Sequence, residues 1–155
     1  MEIRSQKAIN KGGVKATGYV TINEVYVNDI VVKKSDKGVF FEMPGQSYKD
    51  LEGNWKKSYH AAPINKESAA EILATVKQAV EDKKYRVLLS DKDKMQLGFI
   101  NLKCDNISAK VSITDDGRII TPYRSYEKDG EKKYVNFVNL TKEQADEVKK
   151  AFDAA

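Results

Sequence analysis

The sequence predicts an α+β protein built from two tandem units, each an antiparallel β-sheet followed by a C-terminal amphipathic helix. Three observations carry this reading. Runs rich in β-branched and aromatic residues, broken by glycine and aspartate turns, fill most of the chain. Only two stretches place apolar residues at helical spacing. Four blocks of the first half recur in the same order in the second, and internal similarity of this kind marks a repeated supersecondary unit.

In chain order, residues 3–9 and 14–22 flank Lys11-Gly12-Gly13, a hairpin signal because glycine adopts positive φ without steric cost. Residues 25–34 and 39–43 flank Ser35–Gly38, a second hairpin signal. A long loop follows, with a short strand near 55–60. The first helix opens at Asn65, whose side chain can accept from the backbone N–H of Ser68. Ala69, Ile72, Leu73, Val76 and Val80 then form one apolar stripe. The second half gives strands over 85–90, 95–103, 107–114, 118–121 and 133–138. Its helix opens at Thr141 with Gln144 three residues on, a capping-box pattern, and Ala145, Val148 and Phe152 line its apolar face.

The recurrence is clearest at the helices, where INKESAAEI (64–72) faces LTKEQADEV (140–148). Upstream, SYKDLEGNWKKSY (47–59) faces SYEKDGEKKY (125–134), VVKKSDKGVFFEMP (31–44) faces KVSITDDGRIITP (110–122), and TGYVTI (17–22) faces LGFINL (97–102). Residues 1–83 and 84–155 are therefore expected to be two copies of one unit, paired as an intrachain pseudo-dimer rather than strung as independent beads. Small units bury too little surface alone. Charge divides evenly, with 13 basic and 11 acidic residues in the first and 14 and 12 in the second.

Composition excludes several chemistries. In 155 residues there is no apolar run of the roughly 18–20 residues a membrane span needs, and residues 1–10 show no signal-peptide pattern, so a cytoplasmic protein is expected. One cysteine, Cys104, precludes an intrachain disulfide, and one histidine, His60, leaves no His/Cys zinc set. Nothing around His60 resembles a nucleophile elbow, and no phosphate-binding glycine loop surrounds Gly12-Gly13. The expectation is a non-enzymatic protein without metal or cofactor. The net charge of +4 permits a polyanionic partner without demanding one.

The first copy resembles the SpoVG family of small bacterial regulators, septation or stage V sporulation protein G. KATGYVTINEVYVNDIVV (15–32) is similar to the family's hairpin, with Tyr26, Asp29 and Ile30 in its second strand. GVFFEMP (38–44) is similar to its Gly-aliphatic-Phe-x-x-Met-Pro strand and stop, a charged glycine-bearing loop follows at 47–57, and Pro63-Ile64-Asn65 opens the helix. The resemblance implies binding of DNA or RNA and a regulatory role. It also implies that two protomers of a homodimer are fused here, while further oligomerisation stays open. Met43-Pro44 is followed by Gly45-Gln46-Ser47 rather than by the family's basic pair.

Nucleic-acid binding needs cations for phosphate and gains from exposed aromatics for bases. Segment 47–59 offers Tyr48, Lys49, Trp55, Lys56, Lys57 and Tyr59, and segment 123–134 offers Tyr123, Arg124, Tyr126, Lys128, Lys132, Lys133 and Tyr134. Lys33 and Lys34 add charge near the hairpin turn. Against this, the loops are nearly balanced in charge, and the aromatics would fit alternate-face core positions. The competing reading is a protein-interaction module that kept the scaffold and lost nucleic-acid binding.

Overall fold

The computed structural model describes residues 2–87 and 95–154. Fourteen strands and two helices follow in order among the described residues. They are β1 (Glu2–Lys11), β2 (Val14–Ile22), β3 (Val25–Ser35), β4 (Gly38–Glu42), β5 (Gly45–Lys49), β6 (Trp55–Tyr59), β7 (Ala61–Pro63) and α1 (Lys66–Glu81), then β8 (Arg86–Val87), β9 (Gln96–Cys104), β10 (Ile107–Thr114), β11 (Ile119–Ile120), β12 (Tyr123–Lys128), β13 (Glu131–Asn136), β14 (Val138–Asn139) and α2 (Lys142–Ala154).

Both five-stranded sheets take strands from both sides of residue 84. One runs β1-β2-β10-β11 with β7 also on β10, and the other runs β14-β3-β9-β8 with β4 also on β3. All of their ladders are antiparallel. Exchanging β1–β7 with β8–β14 in order leaves the pairings unchanged: β1·β2 maps onto β8·β9, β2·β10 onto β9·β3, β10·β11 onto β3·β4, and β10·β7 onto β3·β14. The remaining strands form two separate ribbons, β5–β6 and β12–β13, which map onto each other in the same way.

The glycine hairpin at Gly12-Gly13 and the β3–β4 hairpin form as their residues predict. The 15–32 segment does not close into a hairpin. Its strands β2 and β3 part at Asn23-Glu24, where Glu24 takes φ +52°, and each pairs with a strand more than 60 residues away. The corresponding turn at Asp105-Asn106 separates β9 from β10. The two turns clasp each other: Glu24 N–H donates to Asp105 Oδ1 at 2.7 Å, and Asn106 N–H donates to Asn23 Oδ1 at 3.0 Å.

One apolar core unites the sheets and helices. Val20 and Ile22 of β2, Val25, Val27, Ile30 and Val32 of β3, and Ile107, Ala109 and Val111 of β10 are all essentially sealed from solvent. Ile72 and Val76 carry α1 into this core against β4 and β7, and Val148 and Phe152 carry α2 into it near β1 and β11. Both helix starts follow the local rules. Ser68 N–H donates to Asn65 Oδ1 at 2.9 Å, while Gln144 N–H donates to Thr141 Oγ1 at 3.1 Å and Thr141 N–H to Gln144 Oε1 at 2.9 Å.

β3 keeps its apolar residues inward only by means of a β-bulge. Val27 pairs with Leu102 and Ile30 with Ile100, so Asn28 and Asp29 together oppose Asn101. The extra residue shifts the alternation from Val25 and Val27 to Ile30 and Val32. Asp29 takes φ +61° there, a left-handed conformation in which its N–H donates to Asn101 Oδ1 at 3.0 Å.

Two expected elements differ. Segments 45–49 and 123–128, expected as loop, are strands β5 and β12. The strand expected over 85–90 is seen at 86–87, and its remainder lies outside the described residues. Among the described residues, no helix is long and apolar enough to cross a membrane.

Candidate nucleic-acid interface

The two ribbons hold most of the sequence-predicted site residues. In β5–β6, Lys49 pairs with Trp55, Tyr48 with Lys56, and Ser47 with Lys57. Strand alternation therefore puts Lys49, Trp55, Lys57 and Tyr59 on one face and Tyr48 and Lys56 on the other. Trp55 is 71% exposed, and Lys49 Nζ sits 5.3 Å from its ring centroid. In β12–β13, Tyr123, Lys132 and Tyr134 share one face, and Arg124, Tyr126, Lys128 and Lys133 share the other. Tyr123 and Tyr134 meet edge to face at 5.5 Å, with Lys132 Nζ 5.8 Å from the Tyr134 ring. Asp129 and Gly130, both at positive φ, make the tight turn that joins these strands. The ribbon aromatics are thus surface groups and not core.

The cations divide by their partners. Lys33 lies within β3, half-buried, 2.9 Å from Glu42, and Lys57 reaches over from the first ribbon to the same carboxylate. Hydrogen bonds from Lys57 and then Lys33 hold the Glu42 carboxyl below its ordinary value. Lys56 pairs loosely with Asp50 at 3.5 Å and Lys133 with Glu131 at 3.0 Å. Lys34, Lys49, Lys128 and Lys132 make no ion pair among the described residues. They are the sequence-predicted cations whose charge is not offset by a contact.

Arg124 turns inward to the bulge on β3. The Asp29 side chain takes Arg124 Nε on one carboxylate oxygen and Arg86 Nη2, at 2.9 Å, on the other. Burial pushes the Asp29 carboxyl up, but the hydrogen bonds from Arg124 and Arg86 outweigh it and hold the group below its ordinary value. Arg86 lies 4.9 Å from the Phe99 ring centroid and Arg124 lies 5.7 Å from that of Tyr126. Composition and loop reading missed Arg86 altogether. The one signal in the sequence was the broken alternation at Asn28-Asp29 inside an apolar strand, the mark of a bulge.

His60 and Phe137 connect the two ribbons to the body. Their rings stack with centroids 4.8 Å apart. Cys104 is buried at the end of β9, and burial, with Asp105 beside it, raises its thiol to about 11, so it is not a reactive group. Among the described residues, no group of three His, Cys, Asp or Glu side chains is placed to hold a metal ion.

Comparison with known proteins gives one informative match. The septation protein SpoVG of Lachnospira eligens is 31% identical over 85 residues, covering 54% of this chain and 92% of that protein. No family model matches the chain, and no solved structure matches it.

Proposed function

The chain belongs to the SpoVG family, and from that premise we propose that it is a non-enzymatic, cytoplasmic nucleic-acid-binding regulator. It contacts DNA or RNA mainly through phosphates, with low sequence specificity and without a cofactor. The observation that carries this reading is the pair of ribbons, each setting exposed aromatic rings beside cations: Trp55 with Lys49, and Tyr134 with Lys132. A ring with a cation at its edge offers a base a stacking face and the adjacent phosphate a counter-charge.

We also propose that residues 1–83 and 84–155 are two copies of a SpoVG-type unit, interlocked as an intrachain pseudo-dimer. The exchange-invariant strand pairing supports this, as do the reciprocal bonds between the turns at Asn23 and Asp105. Fusion keeps the second copy at an effective concentration of about millimolar, so pairing is independent of expression level.

Binding of labelled single- and double-stranded oligonucleotides at two salt concentrations tests the first proposal. Affinity falling steeply with salt is expected, and no binding at low salt removes the reading. Replacing Lys49, Lys56, Lys128 and Lys132 by glutamate should abolish most of the affinity in a folded protein. A second reading, a protein-interaction module, draws on the tip of the first ribbon, where fully exposed Leu51 lies near Trp55. It gains if the chain is indifferent to nucleic acid.

A further inference from the structure

We propose that the chain carries a single phosphate clamp, Arg86 and Arg124 set on Asp29 in the cleft between the ribbons, and so binds one single-stranded nucleic acid per molecule. The inference rests on the nucleic-acid reading above and names the site and stoichiometry.

The cleft, about 450 Å³, is lined by Asp29, Lys57, Arg86, Phe99, Arg124 and Phe137 together with neighbouring backbone. Asp29 is 7% exposed and fixed in the bulge, whereas the Arg86 and Arg124 side chains are 55% and 37% exposed. A guanidinium has five N–H donors, and the carboxylate takes one from each arginine. The other donors stay available to a ligand, since both arginines line the cleft, and each guanidinium lies against an aromatic ring, Phe99 for Arg86 and Tyr126 for Arg124. Two guanidinium groups on one carboxylate leave a net positive charge, and Lys33 and Lys57 on Glu42 leave another. Fixed guanidinium forks match the oxygens of a phosphodiester better than mobile ammonium groups do. Trp55 shares the ribbon face of Lys57 and Tyr126 that of Arg124, both with exposed rings, and only unpaired bases can stack on them.

The pairing that exchanges the halves maps this cleft onto a second one, and the second is built differently. There Lys110 alone takes the place of the Asn28-Asp29 bulge, Gln46 that of Arg124, and His60 that of Phe137. Backbone contacts fix the correspondence: Asn28 N–H donates to Phe137 O at 2.7 Å and Lys110 N–H to His60 O at 2.9 Å. Among the described residues that line it, the second cleft has no carboxylate and no guanidinium. A symmetric pair would carry two equal sites, whereas this chain carries one clamp.

The test uses the full chain and a labelled oligothymidylate of about twelve nucleotides, titrated by anisotropy over a salt series and by calorimetry for stoichiometry. One strand per chain is expected. Arg86→Gln and Arg124→Gln should each weaken binding about tenfold and flatten the slope of log affinity against log salt by about 0.7, the value for one lost single-strand phosphate contact. Lys110→Gln should stay within about twofold of wild type. Arg86→Gln leaves Arg124 on Asp29, so it remains informative if Arg124→Gln unfolds. Wild-type binding with an unchanged affinity and salt slope in Arg86→Gln overturns the clamp while leaving the nucleic-acid reading intact. Two strands per chain, or a duplex bound as tightly as the single strand, also overturns it. No wild-type binding overturns both.

Discussion

The imidazole of His60 stacks on the ring of Phe137, with centroids 4.8 Å apart and planes 25° from parallel. The two residues hold matching stations in the fold. His60 N–H donates to Pro44 O at 2.8 Å and Phe137 N–H to Pro122 O at 3.0 Å, so each ring sits where a ribbon returns to its sheet. In the pseudo-dimer proposed above, a residue that meets its own counterpart lies on the axis relating the copies.

This stack makes stability depend on pH. Burial, then the charges of Lys110 and Lys57, hold His60 below its ordinary value of 6.5, and its Nδ1 is buried with no hydrogen-bond partner among the described residues. The folded protein favours the neutral ring, so the unfolded chain takes up the proton first. Stability is full above 6.5 and falls as pH drops from there through the folded value. Urea denaturation of the wild type should show this loss between about pH 7 and pH 5. His60→Phe, which copies the partner ring, should be folded and flat over that interval. An equal loss in His60→Phe would remove His60 as its source.

Asp29 governs a second, more acidic interval. Its carboxyl is depressed from 3.8 because the two arginines outweigh burial, so its contribution is present above that value and lost as pH falls through the folded one. Asp29→Gly and Asp29→Ala remove the same carboxylate, but only glycine accepts φ +61° without strain. The alanine variant should therefore be less stable than the glycine variant by about 1 kcal/mol, and both should lose part of the wild type's acid sensitivity below about pH 4. Equal stability of the two would show that the bulge relaxes when the carboxylate goes.

Gly98 controls the position of Arg86 without touching the cleft. A Cβ at Gly98 would lie 2.0 Å from the backbone oxygen of Arg86, and the obstacle is main chain that cannot rotate aside. Among the described residues, strand β8 is held to β9 by the pairs Arg86–Phe99 and Val87–Gly98. Gly98→Ala should push β8 off, destabilise the protein by about 1–3 kcal/mol and weaken oligonucleotide binding about as much as Arg86→Gln. A destabilised Gly98→Ala that binds like wild type would separate β8 from the site.

These relationships differ in how far they could be read from the chain. The caps at Asn65 and Thr141 and the turn at Gly12-Gly13 are local, depending on residues within four positions, and they form as the sequence implies. The β5 and β12 strands escaped because both ribbon faces are exposed, so no apolar alternation marks them. The partners of β2 and β3 escaped for another reason. Both strands suit a hairpin, and only the packing of the whole chain decides that β10 and β9 displace that local pairing. The Asp29 cluster joins residues 57 and 95 positions apart, a proximity that no spacing rule supplies. What survived from sequence to site was the interleaving of rings and cations in 47–59 and 123–134, because strand alternation alone sets those neighbours.

The interlocked pairing sets a limit on what half the chain can do. In a fragment of residues 1–83, β2 lacks β10, and β3 lacks both β9 and β14. The inward residues Val25, Val27, Ile30 and Val32, sealed in the full chain, would then lose their sheet neighbours and meet water. Each buried valine or isoleucine contributes about 1.5–3 kcal/mol, so exposing all four costs about 6–12 kcal/mol, as much as the whole net stability of a small domain, about 5–15 kcal/mol. A second copy of the fragment can repair the loss, because β3 of one copy can take the place of β10 beside β2 of the other, and the exchange works both ways. The fragment should sediment as a dimer at high concentration and lose its circular-dichroism signal on dilution, while the full chain stays folded throughout. A 1–83 fragment that remains folded and monomeric on dilution would contradict the pseudo-dimer, since a unit complete in itself has no need of the strand exchange on which that arrangement depends.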